Sequence, residues 1–148
     1  MKKFIYLIVL LLFPLAAQAA SGLQVLTSKY DFQTTQTRLE QAIKAKDLTV
    51  FAVIDHAAGA HKAGLALQPT TVTLFGNPKA GTPFMAAAPE SAIDFPLRML
   101  VWQGAQDRTY VAYRPVAAIA KRFHIAGKGA LAAKIDGLQQ ALAQAAAE

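Results

Sequence analysis

From Leu23 to the C-terminus, blocks with a two-residue hydrophobic period alternate with blocks whose apolar positions recur every three or four residues. The first period puts successive side chains on opposite faces of a strand, and the second lines one face of a helix. Leu23 to Ser28 alternates loosely and predicts a first strand. Phe32, Leu39 and Ile43, with Ala42 beside them, then recur at helical spacing, while Gln33, Gln36, Arg38, Glu40 and Lys44 occupy the remaining surface. Asp31 stands at the N-cap of this helix, where its carboxylate accepts hydrogen bonds from free amides. Lys44 and Lys46 close it with charge that complements the helix dipole.

Leu48 to Ile54 is apolar on both faces and rich in β-branched and aromatic residues, which predicts a central strand. Ala57 to Ala63 predicts a helical turn or two, closed by Gly64. Thr70 to Phe75 is a further strand with Val72 and Leu74 on one face, stopped by Gly76-Asn77-Pro78. Thr82 to Ala88 reads as a short helix ended by Pro89. Leu97 to Gln103 and Arg108 to Arg114 flank Gly104-Ala105-Gln106-Asp107 as the arms of a hairpin. Pro115 suits the first position of a helix whose inward stripe is Val116, Ile119, Ala120 and Phe123, before Gly127 and Gly129 interrupt it. Leu131, Ile135, Leu138, Leu142 and Ala145 form the apolar seam of a last helix.

The first residues are a different object. Lys2 and Lys3 precede an almost wholly apolar run from Phe4 to Leu15, and Ala17-Gln18-Ala19 supplies a small-x-small cleavage site. A bilayer span needs about 20 apolar residues, and this run is shorter and holds Pro14. The expectation is a signal peptide over residues 1–19, cleavage after Ala19, and a periplasmic or secreted product with one domain over 20–148 and no membrane span after cleavage. No cysteine follows the apolar run, so a lipoprotein anchor is excluded.

Cleavage there removes two of the 15 basic residues and none of the nine acidic ones, leaving 13 − 9 = +4. The cations are scattered, with Lys121-Arg122 the only adjacent pair after the leader, and no aromatic residues interleave them for base stacking. Nucleic acid is therefore not an expected partner. The absence of cysteine removes disulfides, thiolate catalysis and cysteine metal sites. At about 130 residues the mature chain buries enough apolar surface to fold without staples.

The polar residues that could carry chemistry sit at strand boundaries. Asp55-His56 ends one strand, and there an aspartate that caps the next turn competes with a histidine that carries protons or binds a ligand. His61 lies five residues from His56, whereas helical metal ligands fall three or four apart, so no metal or cofactor is expected. Gly76 to Thr82 resembles a phosphate loop only superficially, because Lys79 is displaced from the Gly-Lys-Thr arrangement. Its plain reading is a stiff turn with Gly81 at positive φ, and its functional one is a small-anion site at a helix start. Asp94 precedes Phe95-Pro96, which holds the chain extended. Ser91 has no Gly-x-Ser-x-Gly elbow around it, so the case for an enzyme is thin.

Several short motifs, in this order, resemble the domain-of-unknown-function family numbered 302. They are Phe51–His56 (FAVIDH), Gly64–Leu67 (GLAL), Pro69-Thr70, Phe75–Pro78 (FGNP), Gly81-Thr82, Ala92–Pro96 (AIDFP) and Tyr113. With the flanking helices the resemblance covers roughly Leu23 to Ile125. It implies an α+β fold in two layers, an antiparallel sheet with helices packed on one face, in an architecture similar to TATA-box-binding proteins. It implies no established reaction. Asp47 stands where that family usually places a helix-ending glycine. The leading functional expectation is a non-enzymatic module for a small polar or anionic ligand. Asp55, His56, Asn77, Thr82 and Asp94 would converge as its site, with Tyr113 as a further contact. The alternatives are a structural or interaction module forming homodimers, and a hydrolase using Asp55 or Asp94 with His56.

Overall fold

The structure, a computed structural model, describes residues 22–148; the expected leader lies outside the described residues. Five strands form one antiparallel sheet: β1 (Gln24–Thr27), β2 (Thr49–Asp55), β3 (Thr70–Gly76), β4 (Leu97–Gln103) and β5 (Thr109–Tyr113), in the order β1-β5-β4-β3-β2. Five helices join them: α1 (Phe32–Ala45), α2 (His56–Lys62), α3 (Pro78–Ala87), α4 (Val116–Arg122) and α5 (Gly129–Ala147). The α+β expectation is met.

One face of the sheet is dry because α1 and α5 cover it. Phe75, Leu97, Met99, Val101, Val111 and Tyr113 point from the strands into a core that Leu39 and Ile43 of α1 and Ile135, Leu142 and Ala146 of α5 complete. The seam of α5 is rotated from the expected one. Gln139 is fully buried and gives its Nε2 hydrogen to the Arg114 carbonyl at 3.2 Å, while Leu138 is only half-buried. A polar pair crosses the α1–sheet interface, where Gln36 Nε2 donates to Thr73 Oγ1 at 3.0 Å.

The strand expected at the centre of the sheet is at its edge. β2 pairs with β3 alone, through a bulge between Val50 and Ala52, and leaves Phe51, Val53 and Ile54 exposed. The hairpin from β4 to β5 forms as expected. Gly104 is required there by space, because a Cβ on it would lie 2.8 Å from the Tyr110 ring, which stacks on Trp102 with centroids 5.0 Å apart.

Three helices end alike. After α1, α2 and α4 the chain turns through a left-handed residue, and the amide beyond it reaches back to a carbonyl of the last turn: Leu48 to Ile43, Leu65 to Ala60 and Ile125 to Ala120. Gly64 fills this position after α2, but Asp47 (φ 53°) and His124 (φ 53°) fill the other two. A left-handed conformation costs a residue with a Cβ about 1–2 kcal/mol. Replacing Asp47 with glycine is therefore expected to raise stability by roughly 0.5–1 kcal/mol after the unfolded-chain entropy of glycine is subtracted. Urea melts of Asp47→Gly check this, and a lowered midpoint would contradict it.

Candidate functional site

Among the described residues, a hollow lies where β3 hands over to α3. Asn77 leaves the end of β3 extended, its Oδ1 accepts the Lys79 amide at 2.9 Å, and Pro78 supplies the first helical position. The helix thus begins four residues earlier than expected. Pro83 lies inside α3. Gly81 is likewise helical, and the positive φ expected of it is not found. Phe84, fully buried, anchors α3 against Phe95 with ring centroids 5.9 Å apart.

Between α3 and the sheet end a cavity of about 470 Å³ remains. Phe51, Leu74, Met85, Phe95, Pro96, Leu97 and Ile135 form most of its wall, and Asn77 and Thr82 are the residues that bring polar side chains to it. No titratable side chain lines it. The bulge in β2 matters here, since it sits at Phe51, an edge residue that also borders the cavity.

A smaller hollow of about 140 Å³ adjoins the first. Asp94, Arg98, Leu100, Tyr113, Arg114 and Ile119 border it, and Leu97 belongs to both. Asp94 is almost buried and lies 3.4 Å from Arg122 Nη1 and 3.9 Å from Arg114 Nη1. Burial, with a smaller contribution from the Asp136 carboxylate, pushes the Tyr113 hydroxyl above its ordinary value.

The six residues singled out in the sequence do not meet in one hollow. Asn77 and Thr82 border the larger cavity; Asp94 and Tyr113 border the smaller one. Asp55 and His56 are at the other end of the sheet, for Asp55 pairs with Thr71 at the start of β3, six residues before Asn77. At about 3.3 Å per residue that is roughly 20 Å. Asp55 caps α2 through the Ala58 amide at 2.8 Å, and His56 is exposed. Of the two acid–base pairs a hydrolase could use, Asp94 with His56 is not formed, and Asp55 accepts the Ala58 amide. No group of three or more histidine, aspartate or glutamate residues able to hold a metal occurs among the described residues. Sequence reasoning missed the apolar wall, whose members come from five separate elements, and it missed Arg98 and Arg114, which carry no motif.

With this geometry in place, known proteins can be compared. The family model described as "Domain of unknown function DUF302" matches residues 24–148. This chain belongs to the DUF302 family. A solved DUF302 protein from Bacillus stearothermophilus, an uncharacterized conserved protein, superposes with a TM-score of 0.77 at 16% identity, covering 86% of this chain and 99% of that one. At that identity the likeness concerns the fold. Among curated proteins, the DUF302 chain is 34% identical over 109 residues to fluoride-specific ion channel FluC 1 of Brucella suis and to its namesake in Brucella abortus. It spans 43% and 40% of their lengths, and 74% of its own. No helix among the described residues is long and apolar enough to cross a membrane.

Proposed function

We propose that this DUF302 protein is an exported, non-enzymatic domain that binds a small, largely apolar ligand between α3 and the sheet. The cavity carries the proposal. About 470 Å³ lies within the range of small-molecule sites, and an apolar wall with a few polar groups at hand is what such sites have. At about 30 Å³ per water-sized group it holds on the order of 15 non-hydrogen atoms. The apolar lining favours an apolar ligand body over the polar one expected from the strand corners. The lack of titratable lining groups favours retention over turnover. Export rests on the leader, and N-terminal sequencing of protein recovered from outside the cytoplasm should begin at Ala20.

Decan-1-ol is a suitable probe, and wild-type protein should bind it saturably in calorimetry. Ala80→Phe and Leu74→Trp place bulk inside the cavity from its two walls. Each should abolish binding while far-UV circular dichroism stays unchanged. Undiminished binding in both folded variants would remove the cavity as the site.

A second reading is favoured by the exposed β2 edge: a homodimer in which β2 pairs with β2 of a second copy. A twofold axis pairs a strand with itself antiparallel, and β2 contains neither lysine nor proline to block its edge. Phe51, Val53 and Ile54 would be covered. Light scattering should give twice the monomer mass, and Val53→Lys should halve it; a monomeric wild type would end this reading.

The relatives named as fluoride channels share a 109-residue segment with this chain, and we read that segment as a domain carried beside their conducting part. Sodium fluoride should then stabilise this protein no more than sodium chloride at equal ionic strength. A fluoride-specific rise in melting temperature would contradict that assignment.

A further inference from the structure

The two hollows abut where β4 begins. Leu74, on the wall of the larger one, is the Cα partner of Arg98 on the border of the smaller one, and Leu97 belongs to both. The larger hollow is apolar; the smaller one is cationic. Arg98 and Arg114 border it together with one ion-paired carboxylate, Asp94, which lies 3.9 Å from Arg114 and 3.4 Å from Arg122, a residue outside the lining. Arg98 has no carboxylate within ion-pair distance among the described residues; its Nη2 donates to the Ile93 carbonyl at 2.6 Å. Of the charged residues that border the smaller hollow, two are cations and one an anion, so its lining carries a net +1 beside an apolar cavity. Arginine presents several donors in a planar fork, so a guanidinium with one carbonyl bond retains donors for a second acceptor.

We propose that the ligand is an anionic amphiphile, an acid with a carboxylate head and a medium-length apolar body. The body fills the cavity under α3, and the head sits in the smaller hollow against Arg98, with Arg114 also on its border. The proposal rests on the cavity being a binding site and adds the charge and position of the head. The cavity volume sets the body at roughly ten carbon atoms, leaving room for Met85 and Phe51 to close on it.

Decanoate and decan-1-ol separate the two claims, because they share a body and differ in the head. Calorimetry at neutral pH and low salt should give decanoate on the order of fivefold to tenfold tighter binding, a preference that shrinks as salt rises. Arg98→Gln should erase the preference by weakening decanoate far more than decan-1-ol, whereas Arg98→Lys should keep most of it. Since Arg98 also holds the Ile93 carbonyl, Arg114→Gln provides a second variant, expected to reduce the preference partly. Equal affinity for acid and alcohol in wild type would overturn the anionic head while leaving the cavity standing. A preference that survives both glutamine variants would overturn the placement of the head against these arginines. Binding of neither probe would remove the cavity and the head together. A membrane source of the same chemistry is tested with phosphatidylglycerol vesicles. Co-sedimentation that decanoate fails to compete would overturn the free acid as ligand.

Discussion

Phe84→Ala is expected to destabilise the protein by about 3–5 kcal/mol, the usual cost of removing a fully buried aromatic ring. Phe84 is the one fully buried residue of α3, and its partner Phe95 belongs to the segment that leads into β4. Without the ring, α3 keeps its Asn77 cap but loses its hold on the body of the domain. The loss is a large part of the 5–15 kcal/mol typical of whole domains. Urea melts should show a midpoint lowered accordingly, and decan-1-ol binding should disappear even where the variant remains folded, because α3 is one wall of the cavity. Phe84→Leu, which keeps most of the volume, should cost less than half as much. A midpoint for Phe84→Ala close to wild type would mean that α3 is held by something other than this contact.

Asp136→Ala is expected to cost about 1–2 kcal/mol, from a residue that no motif marks. Its carboxylate, on α5, accepts hydrogen bonds from the amides of Val116 and Ala117, the first two residues of α4. Pro115, at the cap position, makes no side-chain cap bond, so Asp136 caps α4 from another helix. α4 in turn buries Val116 and Ile119. The substitution also has a sign that can be read spectroscopically. The folded state raises the Tyr113 pKa, first through burial and then through the negative charge of Asp136. Stability from that protonated hydroxyl is complete below the ordinary tyrosine value near 10 and declines as pH rises above it. Removing Asp136 should move the phenolate titration of Tyr113 to lower pH without bringing it back to the ordinary value, since burial remains. An unchanged midpoint and an unchanged titration would show that Asp136 does neither job.

The sequence made the sheet and most helices readable because strands and helices impose different periods, as in Thr71, Thr73 and Phe75 facing the core while Val72 and Leu74 face away. Periodicity carries no information about neighbours, however. An apolar strand with a partner on one side only, such as β2, has the same pattern as one with partners on both, and so its edge position was hidden. The start of α3 was hidden for another reason, since Pro83 inside the helix imitates a first-turn proline. The polar corners were legible, but two of them carry local duties. Asp55 and Asn77 spend their side-chain oxygens on the amides of Ala58 and Lys79. Polar residues announce themselves at strand ends whether they bind or cap. An apolar cavity assembled from Phe51, Leu74, Met85, Phe95 and Ile135 announces nothing, because each of these residues alone reads as core.

Methyl NMR of methionine-labelled protein, titrated with decanoate, tests the cavity most directly. Met85 lines the cavity, and Met99 lies buried between sheet and helices away from it, which makes one the reporter and the other the control. A saturable shift of the Met85 methyl with Met99 unmoved is the expected result. A Met85 methyl that stays still while decanoate binds, or a shift confined to Met99, would contradict a ligand site beneath α3.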